Sequence, residues 1–260
     1  MSTETTGAVR PNGHAGFWLY TPSPSAQGRV CLFCFPYAGG TTHTFRAWGQ
    51  YLPPGVELHA VQPSGRGQRM LEPPFTALQE MVTSLVDVIG DRSDKPMAFF
   101  GHSMGAIVAF ELARRLRRES KAGPSHLFLS GRRAAQLLSN ETPTHDLPEP
   151  EFIDSLRRLN GTPKEVFEHA ELLQLMLPLL RADFSVCQTY EYRHEAPLSC
   201  PITVFGGVED HEIGRKELEA WSAQTSGAFS LHMLPGDHFF VNTSQALLCR
   251  LLAGHLGPHV

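Results

Sequence analysis

Gly101-His102-Ser103-Met104-Gly105 sets a serine hydroxyl between two glycines, after the apolar run 97–100 and before the apolar segment 106–116. In a strand–turn–helix setting this G-x-S-x-G pattern is a nucleophile elbow. The turn is too tight for side chains on its flanks, and the helix behind it aims free N–H groups and the positive end of its dipole at the serine. An oxyanion formed there is stabilised. A serine hydroxyl is a weak nucleophile until a base takes its proton, so the elbow requires a histidine and an acid to orient it.

The chain offers 13 histidines. In a parallel α/β sheet, functional groups sit on loops at the carboxyl ends of strands, which prunes that number. His126 and His232 fall inside predicted strands, and His102 must turn away from Ser103 at so sharp a bend. His238 follows the last predicted strand across Pro235-Gly236 and is the expected base. Asp210 follows the strand at 201–205 through Gly206-Gly207 and is the expected acid, with Glu209 as its rival. Asp237 is too close in sequence to reach round the far side of His238. The other loop where an acid can stand, after the strand at 126–130, carries Arg132 and Arg133 instead. The backbone N–H groups of Met104, after the nucleophile, and of Ala38, in Tyr37-Ala38-Gly39-Gly40, are the expected oxyanion donors. The order Ser103, Asp210, His238 is the chain order of α/β-hydrolases.

The elements that must position these groups follow from pattern. Strands are expected at 17–20, 30–35, 56–61, 97–100, 126–130, 201–205 and 229–234, alternating with helices. This alternation predicts an α/β fold, an α/β-hydrolase with a mostly parallel central sheet and helices on both faces. A short helix is expected at 44–51. Thr76 and Gln79 have capping-box spacing before a helix whose apolar stripe is Leu78, Val82, Leu85 and Ile89. The elbow helix ends in Arg114, Arg115, Arg117 and Arg118, cations that suit a helix C-terminus. Between about 147 and 195 no strand signal appears, and the apolar helical pattern there is read as a lid inserted over the site. Residues 1–15 read as a loose tail and 16–260 as one domain.

Composition narrows the class. A 42% hydrophobic, 18% charged chain of 260 residues with net charge −4 is globular, with no nucleic-acid footprint and no run long enough to span a membrane. The N-terminus lacks a secretory pattern, and five cysteines without framework spacing point to a reducing cytoplasm. Cys31 and Cys34 lie three apart on a predicted strand, so they face opposite sides and are expected as buried thiols, with no metal.

These motifs, with Phe35-Pro36-Tyr37-Ala38-Gly39-Gly40, Pro63-Ser64-Gly65-Arg66-Gly67, Ser130-Gly131-Arg132-Arg133, Gly206-Gly207 with Asp210, and Gly236-Asp237-His238, resemble the stand-alone type II thioesterases of polyketide and nonribosomal peptide synthetases. Where that family usually reads Pro-Gly-Arg-Gly, this chain carries Ser64 before Gly65. The resemblance implies a monomeric editing enzyme without a cofactor of its own. It would hydrolyse aberrant or stalled acyl groups from the phosphopantetheine thioester of acyl or peptidyl carrier proteins. A fatty acyl-carrier-protein thioesterase, a carboxylesterase, and a silent hydrolase fold that only binds are the alternatives; the complete serine, acid and histidine set argues against the last. Carrier proteins are typically acidic, so cations are expected at the active-site edge. Arg66, Arg69, Arg132 and Arg133 follow strands and are the expected docking residues.

Overall fold

Short apolar runs, each followed by a segment that carries the chain back over the sheet, leave little choice but parallel pairing. The computed structural model describes residues 15–22, 27–90, 94–138, 142–159, 161 and 164–257. The expected tail at 1–15 lies, apart from Ala15, outside the described residues. The chain opens with a helical turn α1 (Ala15–Trp18) and a two-residue strand β1 (Leu19–Tyr20). Then come β2 (Val30–Phe35), β3 (Val56–Val61), helix α2 (Leu78–Ile89), β4 (Met97–His102), helix α3 (Met104–Arg118) and β5 (His126–Ser130). Three helices follow, with no strand among the described residues: α4 (Glu149–Leu159), α5 (Lys164–Glu168) and α6 (Ala170–Gln188). The chain resumes with β6 (Ile202–Gly207), α7 (Arg215–Glu219), β7 (Phe229–Leu234), α8 (Phe240–Thr243) and α9 (Gln245–Leu256).

The seven strands form one sheet in the order β1-β3-β2-β4-β5-β6-β7. Only β1 runs antiparallel, pairing Leu19 with Val61 at the edge. Side chains alternate across the sheet as period-two geometry demands. Cys31, Phe33 and Phe35 enter the core shared with α2 and α3, whereas Val30, Leu32 and Cys34 enter the opposite core with Leu248 and Leu252 of α9. This is the predicted separation of Cys31 from Cys34, and both are buried and outside any disulfide. Each fully buried side chain of this size contributes about 1.5–3 kcal/mol. The insertion between β5 and β6 has a third core of its own, built from Phe152, Leu156, Val166, Leu173, Leu177 and Leu180.

Three local expectations are corrected. The predicted strand at 17–20 is half helical turn, because only Leu19 and Tyr20 pair with β3. The predicted helix at 44–51 is two short 3₁₀ turns, Thr42–Phe45 and Trp48–Gln50. The capping box of Thr76 and Gln79 does not form, since α2 starts one residue later on Ala77, without a side-chain cap and with Glu80 in its first turn. The arginines closing α3 make internal ties. Arg114 pairs with Glu111 at 2.5 Å and Glu195 at 2.9 Å, and Arg117 and Arg118 reach the same Glu195 at 2.8 and 2.5 Å. They fasten the elbow helix to the strand-free segment leading into β6. Among the described residues, no helix is long and apolar enough to cross a membrane.

Candidate active site

Ser103 stands at the carboxyl end of β4 with φ 53° and ψ −111°. A non-glycine residue at positive φ of this kind costs on the order of 1–3 kcal/mol, held only where neighbours over-determine it. The neighbours here are close. A Cβ on Gly101 would stand 2.0 Å from the Gly105 carbonyl oxygen, and one on Gly105 would stand 2.0 Å from that of Phe35. The Ser103 N–H donates to the Ser130 carbonyl at 2.8 Å, pinning the turn to β5. Helix α3 starts at Met104, directly behind the serine.

His238 and Asp210 arrive on the loops after β7 and β6. Those loops are pressed together: a Cβ on Gly207 would lie 2.4 Å from the Asp237 carbonyl oxygen. The His238 Nδ1–H donates to Asp210 Oδ2 at 2.8 Å, and Asp210 Oδ1 accepts the N–H groups of Glu212 at 2.9 Å and Ile213 at 3.1 Å. Burial raises the Asp210 carboxyl, but the His238 hydrogen bond and charge and the two backbone donors outweigh it, leaving it below its ordinary value. The acid therefore stays ionised, and the bonded Nδ1 leaves Nε2 as the basic nitrogen. The imidazole sits at the elbow, its ring 5.4 Å from that of His102. The rival Glu209 is exposed. Asp237 instead accepts from the Phe239 N–H at 2.8 Å.

The other pruned histidines serve packing. His102 is fully buried, with Nδ1 2.8 Å from Ser130 Oγ and its ring against Gly131, where a Cβ would meet it at 2.6 Å. Burial, with His238 adding to it, holds its imidazole well below the usual value, so it is neutral. His126 bonds Thr203 Oγ1 at 2.9 Å, and His232 bonds His255 at 3.1 Å between their Nε2 atoms.

The Tyr37–Gly40 turn closes with the Gly40 N–H on the Tyr37 carbonyl at 2.8 Å. Gly39, at φ +76°, donates its N–H to Asp183 Oδ2 at 2.7 Å. No protein acceptor among the described residues takes the Ala38 or Met104 N–H, the two expected oxyanion donors. A cleft of about 1160 Å³ opens beside this turn, lined in part by Ala38, Val166, Met176, Leu180, Phe239 and Asn242. One wall thus comes from the insertion and the other from the segment after His238.

The docking arginines need correction. Arg66 is 4% exposed and ion-paired with Asp183. Arg69 is 6% exposed, lies 3.7 Å over the Trp18 ring, and bonds Glu72 and the Gln62 carbonyl. Side chains enclosed in this way present no charge to a partner. The strand-end rule placed them at the right edge but said nothing of which way they point. Arg132 and Arg133 are half-buried; Arg132 reaches the Cys187 carbonyl at 3.4 Å and Arg133 reaches Glu217 at 3.5 Å. Neither is enclosed as Arg66 and Arg69 are.

Cys31, Glu57 and His59 bring ligand-type atoms within 4.8 Å of one another on the β2–β3 face. Glu57 is already engaged by Lys95 Nζ at 2.8 Å and His59 by Thr21 Oγ1 at 2.9 Å, and an ammonium beside the carboxylate opposes a cation. Sequence reasoning missed Asp183. Its signal was an acid just after the apolar run 172–180 of α6, which calls for a cation as partner once the helix is buried.

A strained serine elbow and a bonded Asp210–His238 pair are parts that a serine hydrolase site uses, and comparison with known proteins points to hydrolases. Linear gramicidin dehydrogenase LgrE of Brevibacillus parabrevis is 45% identical over 94% of both chains. This chain, however, contains no G-x-G-x-x-G turn of the kind that binds dinucleotides. Gramicidin S biosynthesis protein GrsT of Aneurinibacillus migulanus is 42% identical, over 94% of this chain and 96% of that one. The solved type II thioesterase BorB from the borrelidin biosynthetic cluster superposes with a TM-score of 0.84 at 34% identity, over 94% of this chain and all of the other. The thioesterase domain model matches residues 31–254, and the chain belongs to that family.

Proposed function

We propose that this protein is a type II thioesterase that acts in trans on polyketide or nonribosomal peptide synthetases, releasing aberrant or stalled acyl groups from the phosphopantetheine thiol of carrier proteins. The observation that carries the reading is the Asp210–His238 hydrogen bond at 2.8 Å beside a serine held at positive φ. The kinship with gramicidin and borrelidin pathway proteins supports the substrate class.

In this reading, His238 Nε2 takes the hydroxyl proton as Ser103 Oγ attacks the thioester carbonyl carbon. The carbonyl electron pair moves onto oxygen, which the Ala38 and Met104 N–H groups receive, each worth roughly 3 kcal/mol. Collapse breaks the C–S bond, and the leaving thiolate takes the proton from His238. Water, deprotonated by His238, then attacks the acyl-serine; the second collapse breaks the C–Oγ bond, His238 returns the proton to Ser103 Oγ, and the acid leaves. The reaction needs no cofactor of the enzyme's own. The insertion acts as a lid over the acyl chain, and the enzyme works as a monomer in the cytoplasm, where its carriers are.

The test is a panel of acyl-carrier thioesters of varied chain length, run beside matched oxygen esters and with Ser103→Ala as control. Preferential hydrolysis of carrier thioesters, abolished in the variant, is expected. Faster turnover of oxygen esters makes the protein a carboxylesterase, and a sharp optimum at long unbranched chains makes it a fatty acyl-carrier enzyme.

A further inference from the structure

Asp183 and Arg66 are the most deeply enclosed ion pair beside the site, with side chains 0% and 3% exposed. The contact is a two-pronged fork: Nη2 donates to Oδ1 at 2.6 Å and Nη1 to Oδ2 at 2.7 Å. Both partners also grip the turn after β2. Arg66 Nη1 donates to the Gly40 carbonyl at 3.1 Å, and Asp183 Oδ2 accepts the Gly39 N–H at 2.7 Å. Arg66 Nε donates to the Ser64 carbonyl at 3.2 Å, so the loop after β3 is tied in as well.

Such a pair adds little to stability, because the cost of removing two charges from water about matches their attraction. What it does is fix geometry. Gly39 N–H is occupied by Asp183 and Gly40 N–H by the Tyr37 carbonyl, whereas among the described residues no acceptor takes the Ala38 N–H that precedes them. We propose that the Arg66–Asp183 pair is a positioning device for the oxyanion donor at Ala38, through which helix α6 of the insertion sets the efficiency of the chemical step. The same helix reaches the turn a second time, since a Cβ on Gly39 would lie 2.7 Å from Leu180 Cδ2, and Leu180 also lines the cleft. The wall that contacts the acyl chain and the donor that meets the developing oxyanion are thus two parts of one rigid connection. Arginine is required at this position because its planar fork satisfies both carboxylate oxygens and the Gly40 carbonyl together; lysine cannot.

The inference rests on the hydrolytic reading of Ser103 and Ala38, and the experiment separates the two. Arg66→Lys, Asp183→Asn and the paired change Arg66→Met with Asp183→Leu are compared with the native enzyme. Turnover of a small acyl-cysteamine thioester, the rate at which a fluorophosphonate modifies Ser103, and the thermal midpoint are measured. In all three variants kcat is expected to fall about 10- to 100-fold with KM changed less than about threefold. Phosphonylation is expected to slow by a similar factor, because its adduct needs the same donors. The paired variant leaves no buried charge unpaired, though it frees the Gly39 N–H and the Gly40 and Ser64 carbonyls, so its midpoint is expected to fall less than that of Asp183→Asn. A folded paired variant with native kcat overturns the proposal. So does a set of variants that lose thermal stability while turnover per labelled enzyme stays native. If the paired variant fails to fold, Arg66→Lys decides by the same criteria. A native enzyme that the probe does not label at Ser103 defeats the hydrolytic reading itself, a result distinct from any slowing in the variants.

Discussion

Asp210 touches His238 through one carboxylate oxygen and gives the other to the backbone N–H groups of Glu212 and Ile213. The acid is thereby a fixed point and the imidazole rotates about it with little freedom. Asp210→Asn keeps an acceptor for those backbone groups or for the ring, but it loses the charge that stabilises the imidazolium and allows the wrong tautomer. A kcat reduced by about 10⁴-fold with an intact fold is the expected outcome. Glu209→Gln, on an exposed side chain, is expected to leave kcat unchanged. Kinetics of the two variants that showed the reverse ranking would move the acid to Glu209.

The strain at Ser103 sets up a second measurement. Glycine reaches φ 53° without steric cost, whereas serine does not. Ser103→Gly is expected to abolish hydrolysis and to raise stability by about 1 kcal/mol, a rise of roughly 2–4 °C in thermal midpoint for a chain of this size. A lowered midpoint would show that the hydroxyl contributes more to the fold than its backbone conformation costs.

How legible these groups were follows from the range of the forces involved. Ser103, His238 and Asp210 could be singled out as candidates because parallel sheets put functional loops at one edge, and strands such as 30–35 and 56–61 announce themselves as apolar runs. The inward turn of Arg66 could not. It depends on Asp183, 117 residues away, and no local pattern pairs them. The start of α2 on Ala77 was hidden for the opposite reason, because Thr76 and Gln79 carried a local signal that packing overruled. The helical insertion was visible as an absence of strands, but its separate core of Phe152, Leu156 and Leu173 emerges only when the three helices are together.

A pH dependence is expected from His232 and His255, whose Nε2 atoms lie 3.1 Å apart. Burial lowers both below the ordinary value of 6.5, and the His232 charge lowers His255 further. The unfolded chain then binds protons more readily than the folded one. Stability from this pair is complete above about pH 6.5 and declines as pH falls, because protonating the accepting ring replaces its lone pair with an N–H and breaks the contact, and protonating both sets like charges together. Denaturant midpoints at pH 7.5 and pH 5.5 are expected to differ less in His255→Gln than in the native protein. Equal differences would show that other groups carry the acid sensitivity.

Carrier affinity tests the remaining surface cations. Arg132→Gln with Arg133→Gln is expected to raise KM for an acyl-carrier protein about three- to tenfold, and to leave KM for an acyl-cysteamine thioester within twofold. The effect is expected to shrink in high salt, because charge steering is screened. A KM for the carrier unchanged at low salt would remove these two residues from the docking face, as burial has already removed Arg66 and Arg69.

The insertion offers two side chains three residues apart on α6 with different expected roles. Both belong to the apolar helical pattern that the sequence offers as a lid over the site. Leu173 is 8% exposed and packs in the insertion's own core, so Leu173→Ala is expected to cost about 2–3 kcal/mol and leave the preference in place. Met176 is only partly buried and lines the cleft with Val166, Leu180 and Ala38. Replacing it with alanine removes three side-chain heavy atoms from the cleft wall that it shares with Ala38. Each further methylene an acyl chain can bury there is worth about 0.8 kcal/mol, or close to fourfold in kcat/KM. Met176→Ala is therefore expected to move the optimum toward longer acyl groups with little change in thermal midpoint. Rates across a homologous series of acyl-cysteamine thioesters, with a melt on each variant, decide the matter. An optimum that stays put in Met176→Ala and shifts in Leu173→Ala would mean that the acyl chain enters the insertion's core and does not run along the cleft beside Ala38.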